Sequence, residues 1–168
     1  MKRTTKGGGA APPGKPLDLA VRMLARRPLS EGEVALRLAG KGVPEPEAAA
    51  VLERLRELGL LDDPGLCRQL ARSYQEGRRY GPAKIARALS VRRFPRELVE
   101  AAVREVASPG AVAEAARLAL QKRFRAGIPP GQEGAAKAYR FLAGRGFPPD
   151  ACRAAIGRRR SEFPEGDD

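Results

Sequence analysis

Leu17, Ala20, Val21 and Leu24 recur at i, i+3, i+4, i+7 in LDLAVRMLARR (17–27), the spacing of one face of an α-helix, and Pro28 stops the pattern. Ser30 and Glu33 then stand at capping-box spacing, which predicts a short second helix with Val34, Ala35 and Leu38 turned inward and Gly40 and Gly42 at its end. A third helix is predicted to begin near Pro46, to carry Ala48, Val51, Leu52, Leu55 and Leu58 on one stripe, and to close at Gly59. These three helices form one unit.

The unit recurs. LAGKGVPEP (38–46), LSVRRFPRE (89–97) and LAGRGFPPD (142–150) align without gaps, and each predicts the same corner between a second and a third helix. Leu38, Leu89 and Leu142 close the second helix. Val43, Phe94 and Phe147 supply an apolar plug before Pro44, Pro95 and Pro148. The third-helix stripe repeats as Val99, Ala102, Val103 and Val106, then as Cys152, Ala155 and Ile156, which makes Cys152 a core position. The chain is therefore predicted to be all-α, with three tandem three-helix repeats (17–63, 64–108 and 109–160) stacked into an elongated, curved array. A unit of about fifty residues is marginal alone, so stacking is expected to complete each core.

GLLDDPGL (59–66) joins the first two repeats. Gly59 suits the left-handed residue that ends a helix, Leu60 and Leu61 are expected to fold back on its stripe, and Asp63 before Pro64 has the chemistry of an N-cap for the next helix. The paired aspartates are thus punctuation. Ser108 before Pro109 repeats the device. The opening 1–16, MKRTTKGGGAAPPGKP, lacks bulky apolar residues and is expected to be a disordered basic arm, and the acidic tail 161–168 is expected to be loose.

Composition narrows the chemistry. The chain has no histidine and two isolated cysteines, so the usual proton shuttle and the common zinc-ligand sets are missing, and no enzyme activity, metal or cofactor is expected. Two lone cysteines, no apolar leader and no long apolar run imply a reduced, cytoplasmic protein without membrane attachment. The net charge of +12 is unevenly spread. Residues 17–63 hold seven basic and nine acidic groups, whereas 64–108 hold ten against four and 109–160 eleven against three. The second and third repeats are therefore the candidates for meeting a polyanion.

Three tandem three-helix units, the opening S-E-G-E-V-A-L-R-L, the phrase L-G-L-L-D-D and the run R-R-Y-G-P-A-K-I-A-R-A-L together resemble the RecX regulatory proteins of bacteria, over about residues 19–157. Two departures stand out: Leu66 and Cys67 replace an aromatic followed by alanine after the aspartates, and the third repeat carries a Pro/Gly-rich loop, AGIPPGQEG (126–134). The resemblance implies a non-catalytic modulator of the RecA recombinase that binds the RecA filament on single-stranded DNA, lodges in its groove and mostly inhibits it in recombination and repair. A capped array with charged ends is expected to be a monomer. An independent helix-turn-helix-like DNA- or RNA-binding protein is the alternative, since three-helix units with a glycine in the turn are also its building blocks.

Basic residues near aromatics suit a phosphate backbone and an occasional stacked base. In the second repeat the candidates are Arg68, Arg72, Arg79 and Tyr80, then Lys84 and Arg87 at i, i+3 on one flank, then Arg92 and Arg93 at the corner. In the third they are Lys122, Arg123 and Arg125, followed by Lys137, Arg140 and Arg145. Arg153 and the run Arg158 to Arg160 add charge that could simply solubilise the end. The first repeat, slightly acidic, is expected to face protein instead.

Overall fold

A computed structural model describes residues 14–162; most of the expected basic arm and of the acidic tail, residues 1–13 and 163–168, lies outside the described residues. Among the described residues there are nine α-helices and no strand. They are α1 (Gly14–Arg26), α2 (Glu31–Ala39), α3 (Glu45–Glu57), α4 (Asp63–Glu76), α5 (Pro82–Val91), α6 (Arg96–Val106), α7 (Pro109–Arg123), α8 (Gly131–Gly144) and α9 (Pro149–Glu162). The chain divides into two compact units, one ending at Asp63 and one starting at Pro64.

In the first unit α1, α2 and α3 enclose Ala20, Leu29, Val34, Leu38, Ala48, Val51, Leu55 and Leu61. Ser30 accepts from Glu33 N at 3.1 Å while the Glu33 carboxylate accepts from Ser30 N at 3.1 Å, so the capping box forms as the sequence requires. Three expected core positions are exposed instead: Val21, Leu58 and Leu60. Leu19 and Met23 flank Ala20 in place of Val21, which rotates the buried stripe of α1. Leu58 is the C-cap of α3, beyond the last inward turn, and of the leucine pair only Leu61 folds back into the core. α1 also begins three residues before the expected boundary. Pro16 is fully buried within its first turn, where a missing N–H costs nothing.

Asp63 does cap a helix, but the wrong one for a local reading. α4 starts at Asp63 itself, and the buried carboxylate accepts from Glu31 N, in the first turn of α2, at 2.9 Å. Burial pushes its pKa above the usual carboxylate range, against the opposing pull of the Glu31 N–H. The native chain therefore binds more protons than the unfolded one just above that range, and stability from this group rises as pH is lowered through it. Asp63→Asn, which keeps an acceptor and sheds the buried charge, is expected to hold or raise the melting temperature at pH 7 and to flatten that pH dependence. Asp63→Ala leaves the Glu31 N–H without its acceptor and is expected to cost about 1–3 kcal/mol in denaturant unfolding.

The second unit holds two separate cores. α4, α5 and α6 enclose Cys67, Ala71, Ile85, Leu89, Phe94, Val99, Ala102 and Val106. α7, α8 and α9 enclose Val112, Ala116, Ala119, Leu120, Ala138, Leu142, Phe147, Cys152 and Ile156. Stacking adds less to these cores than expected: each three-helix group encloses most of its own, Ala107 packs across against the core of the last three helices, and backbone hydrogen bonds join the two groups.

The three aligned corners share one geometry. Val43, Phe94 and Phe147 each donate a backbone N–H to Leu38, Leu89 and Leu142 respectively, five residues back, and the preceding residue is left-handed in all three: Gly42 (φ 80°), Arg93 (φ 62°) and Gly146 (φ 81°). Leu38, Leu89 and Leu142 are all fully buried. Ser108 caps α7 by accepting from Ala111 N. The loop before α8 is shorter than its sequence suggests, because the helix begins at Gly131.

The arginine run at the end of α9 contains a structural residue. Arg159 is buried and donates through Nη2 to the carbonyls of Phe124 (2.8 Å) and Arg125 (3.1 Å) just past the end of α7, the first of which also accepts from Gly127 N at 3.1 Å. Arg159→Ala is expected to destabilise the second unit by about 1.5–3 kcal/mol. Arg159→Lys should recover little, since a single ammonium replaces a planar fork. Tyrosine fluorescence isolates the effect, because the chain's three tyrosines, Tyr74, Tyr80 and Tyr139, all lie in this unit.

Candidate nucleic-acid interface

The seam within the second unit is built where α5 starts and α8 ends. Gly81, the N-cap of α5, donates its N–H to Arg145 O at 2.8 Å, and Ala83 donates to Gly146 O at 3.2 Å. Pro82, between them, has no N–H to satisfy. The unfilled donors of one helix start thereby meet the unfilled acceptors of another helix end, and the two dipoles are complementary. Such close backbone approach demands glycine: a Cβ on Gly81 would stand 2.4 Å from Gly146 C and O, and one on Gly146 would stand 2.3 Å from Lys84 N. The run R-R-Y-G-P-A-K owes its glycine and proline to this seam.

Beside the seam lies an open cleft of about 450 Å³ lined by Gly77, Arg78, Arg79, Tyr80, Ala119, Lys122, Arg123, Phe141 and Arg145. Two of its cations come from the corner after α4, two from the last turn of α7, and Arg145 from the end of α8. Arg79 is left-handed (φ 55°), which turns the chain sharply between α4 and α5. Arg145 Nη1 donates to Arg78 O at 2.5 Å, and its guanidinium lies 4.8 Å from the Phe141 ring centre and 5.9 Å from that of Tyr80. Arg145 is therefore a fixed wall. Lys122 and Arg123 are exposed, and Arg123 leans on Phe124 at 5.5 Å. No carboxylate lines the cleft. Five cations sharing a small concave space repel one another and focus a positive potential there, so an anion entering it gains from all five.

The remaining sequence candidates fall elsewhere. Lys84 and Arg87 border a neighbouring groove with Ala83, Ala143, Gly144 and Gly146; Lys84 is already engaged, its Nζ donating to Gly144 O at 3.2 Å and lying 4.7 Å from the Tyr80 ring centre. The Tyr80 faces are thus approached by Lys84 and Arg145, which leaves a base little room to stack there. Arg68 and Arg72 line a shallow groove on α4 with Gln69, Ser73 and Glu76, and Arg72 is ion-paired with Glu105. Arg92 is half-buried against Phe94, and Arg93 is exposed at the left-handed corner. Arg125, Lys137 and Arg140 are outside the cleft. Sequence reasoning missed Arg78 and Phe141. The first was legible in the doublet with Arg79, and the second stands one helical turn before Arg145, where the two side chains meet.

Among the described residues no group of three or more His, Cys, Asp or Glu could hold a metal ion, and no helix is long and apolar enough to cross a membrane. Cys67 and Cys152 are buried reduced thiols that donate to Leu98 O and Phe147 O, each at 3.6 Å, and burial pushes the Cys152 thiol pKa up.

Architecture and seam define a protein of tandem three-helix repeats, and comparison with known proteins agrees. Residues 17–55 match the RecX first three-helix domain, and 112–156 match the RecX third three-helix domain. The chain is 42% identical over 134 residues to the regulatory protein RecX of Thermus thermophilus, covering 79% of this chain and 83% of that one. It is 38% identical over 138 residues to the regulatory protein RecX of Halorhodospira halophila, covering 82% and 84%. The crystal structure of RecX from Lactobacillus salivarius superposes with a TM-score of 0.77 at 20% identity, covering 89% of this chain and 97% of that one. The chain belongs to the RecX family.

Proposed function

We propose that this protein is a non-catalytic regulator that binds the RecA filament on single-stranded DNA, as a cytoplasmic monomer, and limits RecA activity in recombination and repair. The observation that carries this reading is the cleft of Arg78, Arg79, Lys122, Arg123 and Arg145, cationic and without a carboxylate, in a chain of the RecX family. Arginine forks and a lysine ammonium suit phosphate oxygens, and nothing in the cleft offers the Asn, Gln and Arg mixture of direct base readout. Binding is accordingly insensitive to sequence.

Taking the repeats as 17–63, 64–108 and 109–160, the last two meet the charge of the nucleoprotein and the first meets RecA protein surface. Binding through about six phosphates would weaken by roughly 10³-fold between 50 and 200 mM salt, so recognition of RecA protein is what selects the filament over bare strands. The direct test is DNA-dependent ATP hydrolysis by the cognate RecA with substoichiometric amounts of this protein added. The rate should fall and filaments shorten. An unchanged rate and length would remove the proposal.

A further inference from the structure

We propose that the cleft also docks the chain's own acidic segment, residues 161–168, which competes there with the phosphate backbone and holds the protein in a lower-affinity state until a filament displaces it. The inference rests on reading the cleft as a polyanion site.

Three observations support it. The first is charge: SEFPEGDD places Glu162, Glu165, Asp167 and Asp168 within eight residues, opposite five clustered cations with no carboxylate among them. Carboxylates pair with arginine forks as phosphates do. The second is tethering. α9 is pinned at Arg159 to the carbonyls of Phe124 and Arg125, the two residues that follow Lys122 and Arg123 of the cleft wall. The six residues 163–168, which lie outside the described structure, span up to about 20 Å when extended, enough to re-enter a cleft that starts beside their anchor. The third is the cleft's partly apolar floor, Ala119 and Phe141, which matches Phe163 in the same segment.

A short tether sets the segment at an effective concentration of about millimolar, so even weak carboxylate pairing competes, and salt screens it. This accounts for an acidic end on a chain whose neighbouring repeat is strongly basic.

The test uses the full chain. Carbodiimide coupling joins carboxylates to amines only where they touch, and Lys122 is the lysine of the cleft. Couplings from Glu165, Asp167 and Asp168 should concentrate on Lys122, read by peptide mass spectrometry, and should vanish when oligo(dT) is added. In parallel, the combined variant Glu162→Gln, Glu165→Gln, Asp167→Asn, Asp168→Asn should bind oligo(dT) about threefold or more tighter at 50 mM salt, with the gain shrinking at 300 mM. A control of equal net charge, Asp18→Asn, Glu45→Gln, Glu53→Gln, Glu57→Gln, should not show that gain. Couplings spread evenly over Lys41, Lys122 and Lys137, or equal gains in both variants, would overturn the inference. If oligo(dT) binding still depends on the cleft cations, that result leaves the proposed function standing; if it does not, the proposed function fails first.

Discussion

Gly146→Ala should unfold the second unit far more readily than Gly42→Ala unfolds the first. Both residues occupy the same left-handed corner position, at φ 81° and 80°, so both substitutions carry the same backbone strain of about 1 kcal/mol. Their surroundings differ. A Cβ on Gly42 meets nothing within 4 Å, whereas one on Gly146 meets Lys84 N at 2.3 Å and Lys84 Cβ at 2.7 Å. Relief requires the start of α5 to back away from the end of α8, which breaks the Gly81–Arg145 and Ala83–Gly146 hydrogen bonds. Overpacking and two broken backbone bonds add to the shared strain, for a total of about 3–5 kcal/mol. Tyrosine fluorescence against denaturant measures this directly, since Tyr74, Tyr80 and Tyr139 report the second unit alone, while helical circular dichroism reports both. Equal losses for the two variants would mean that the seam is not held by this close approach.

The combined variant Arg79→Glu, Lys122→Glu, Arg123→Glu is expected to lose at least about 100-fold in affinity for oligo(dT) at 50 mM salt. Each reversal removes a released counterion and adds repulsion, and the slope of log affinity against log salt should become shallower by about 0.7 for every phosphate that is no longer neutralised. Lys122 and Arg123 are exposed, and none of the three side chains belongs to a hydrophobic core, so the helical content should be retained. Reversing Arg22, Arg37 and Lys41 in the first unit changes net charge equally and should leave binding to bare strands within a few-fold of the parent. A loss of similar size in both would place the interaction in the overall charge instead of the cleft.

How much of this was legible in the sequence depends on how local the physics is. The three corners were legible because a leucine, a left-handed residue, an apolar plug and a proline act within nine residues of one another. The Ser30–Glu33 box was legible for the same reason. Asp63 was misread because its partner, Glu31, lies 32 positions away and no local rule distinguishes the cap of the following helix from that of an earlier one. Arg159 looked like part of a solvated run because the carbonyls it serves are 34 and 35 positions upstream. Val21 was overcounted because periodicity alone does not fix which flank of a stripe meets neighbours, Leu58 because the stripe runs past the last inward turn of α3, and Leu60 because only one leucine of the pair folds back. The basic character of the second and third repeats was evident from composition. That Arg79, Tyr80, Lys122, Arg123 and Arg145 converge while Arg68 and Lys137 do not was invisible, since the seam that joins them runs from residue 81 to residue 145.

The claim on which the account depends is that the cleft between the second and third repeats is where this protein meets a polyanion. Lysine acetylation footprinting with and without oligo(dT) at 50 mM salt tests it most directly, because Lys122 lines the cleft and Lys41 lies in the first unit. Strong protection of Lys122 with Lys41 unchanged is the expected result. Lys122 remaining as reactive as in the free protein while the strand is bound would contradict it.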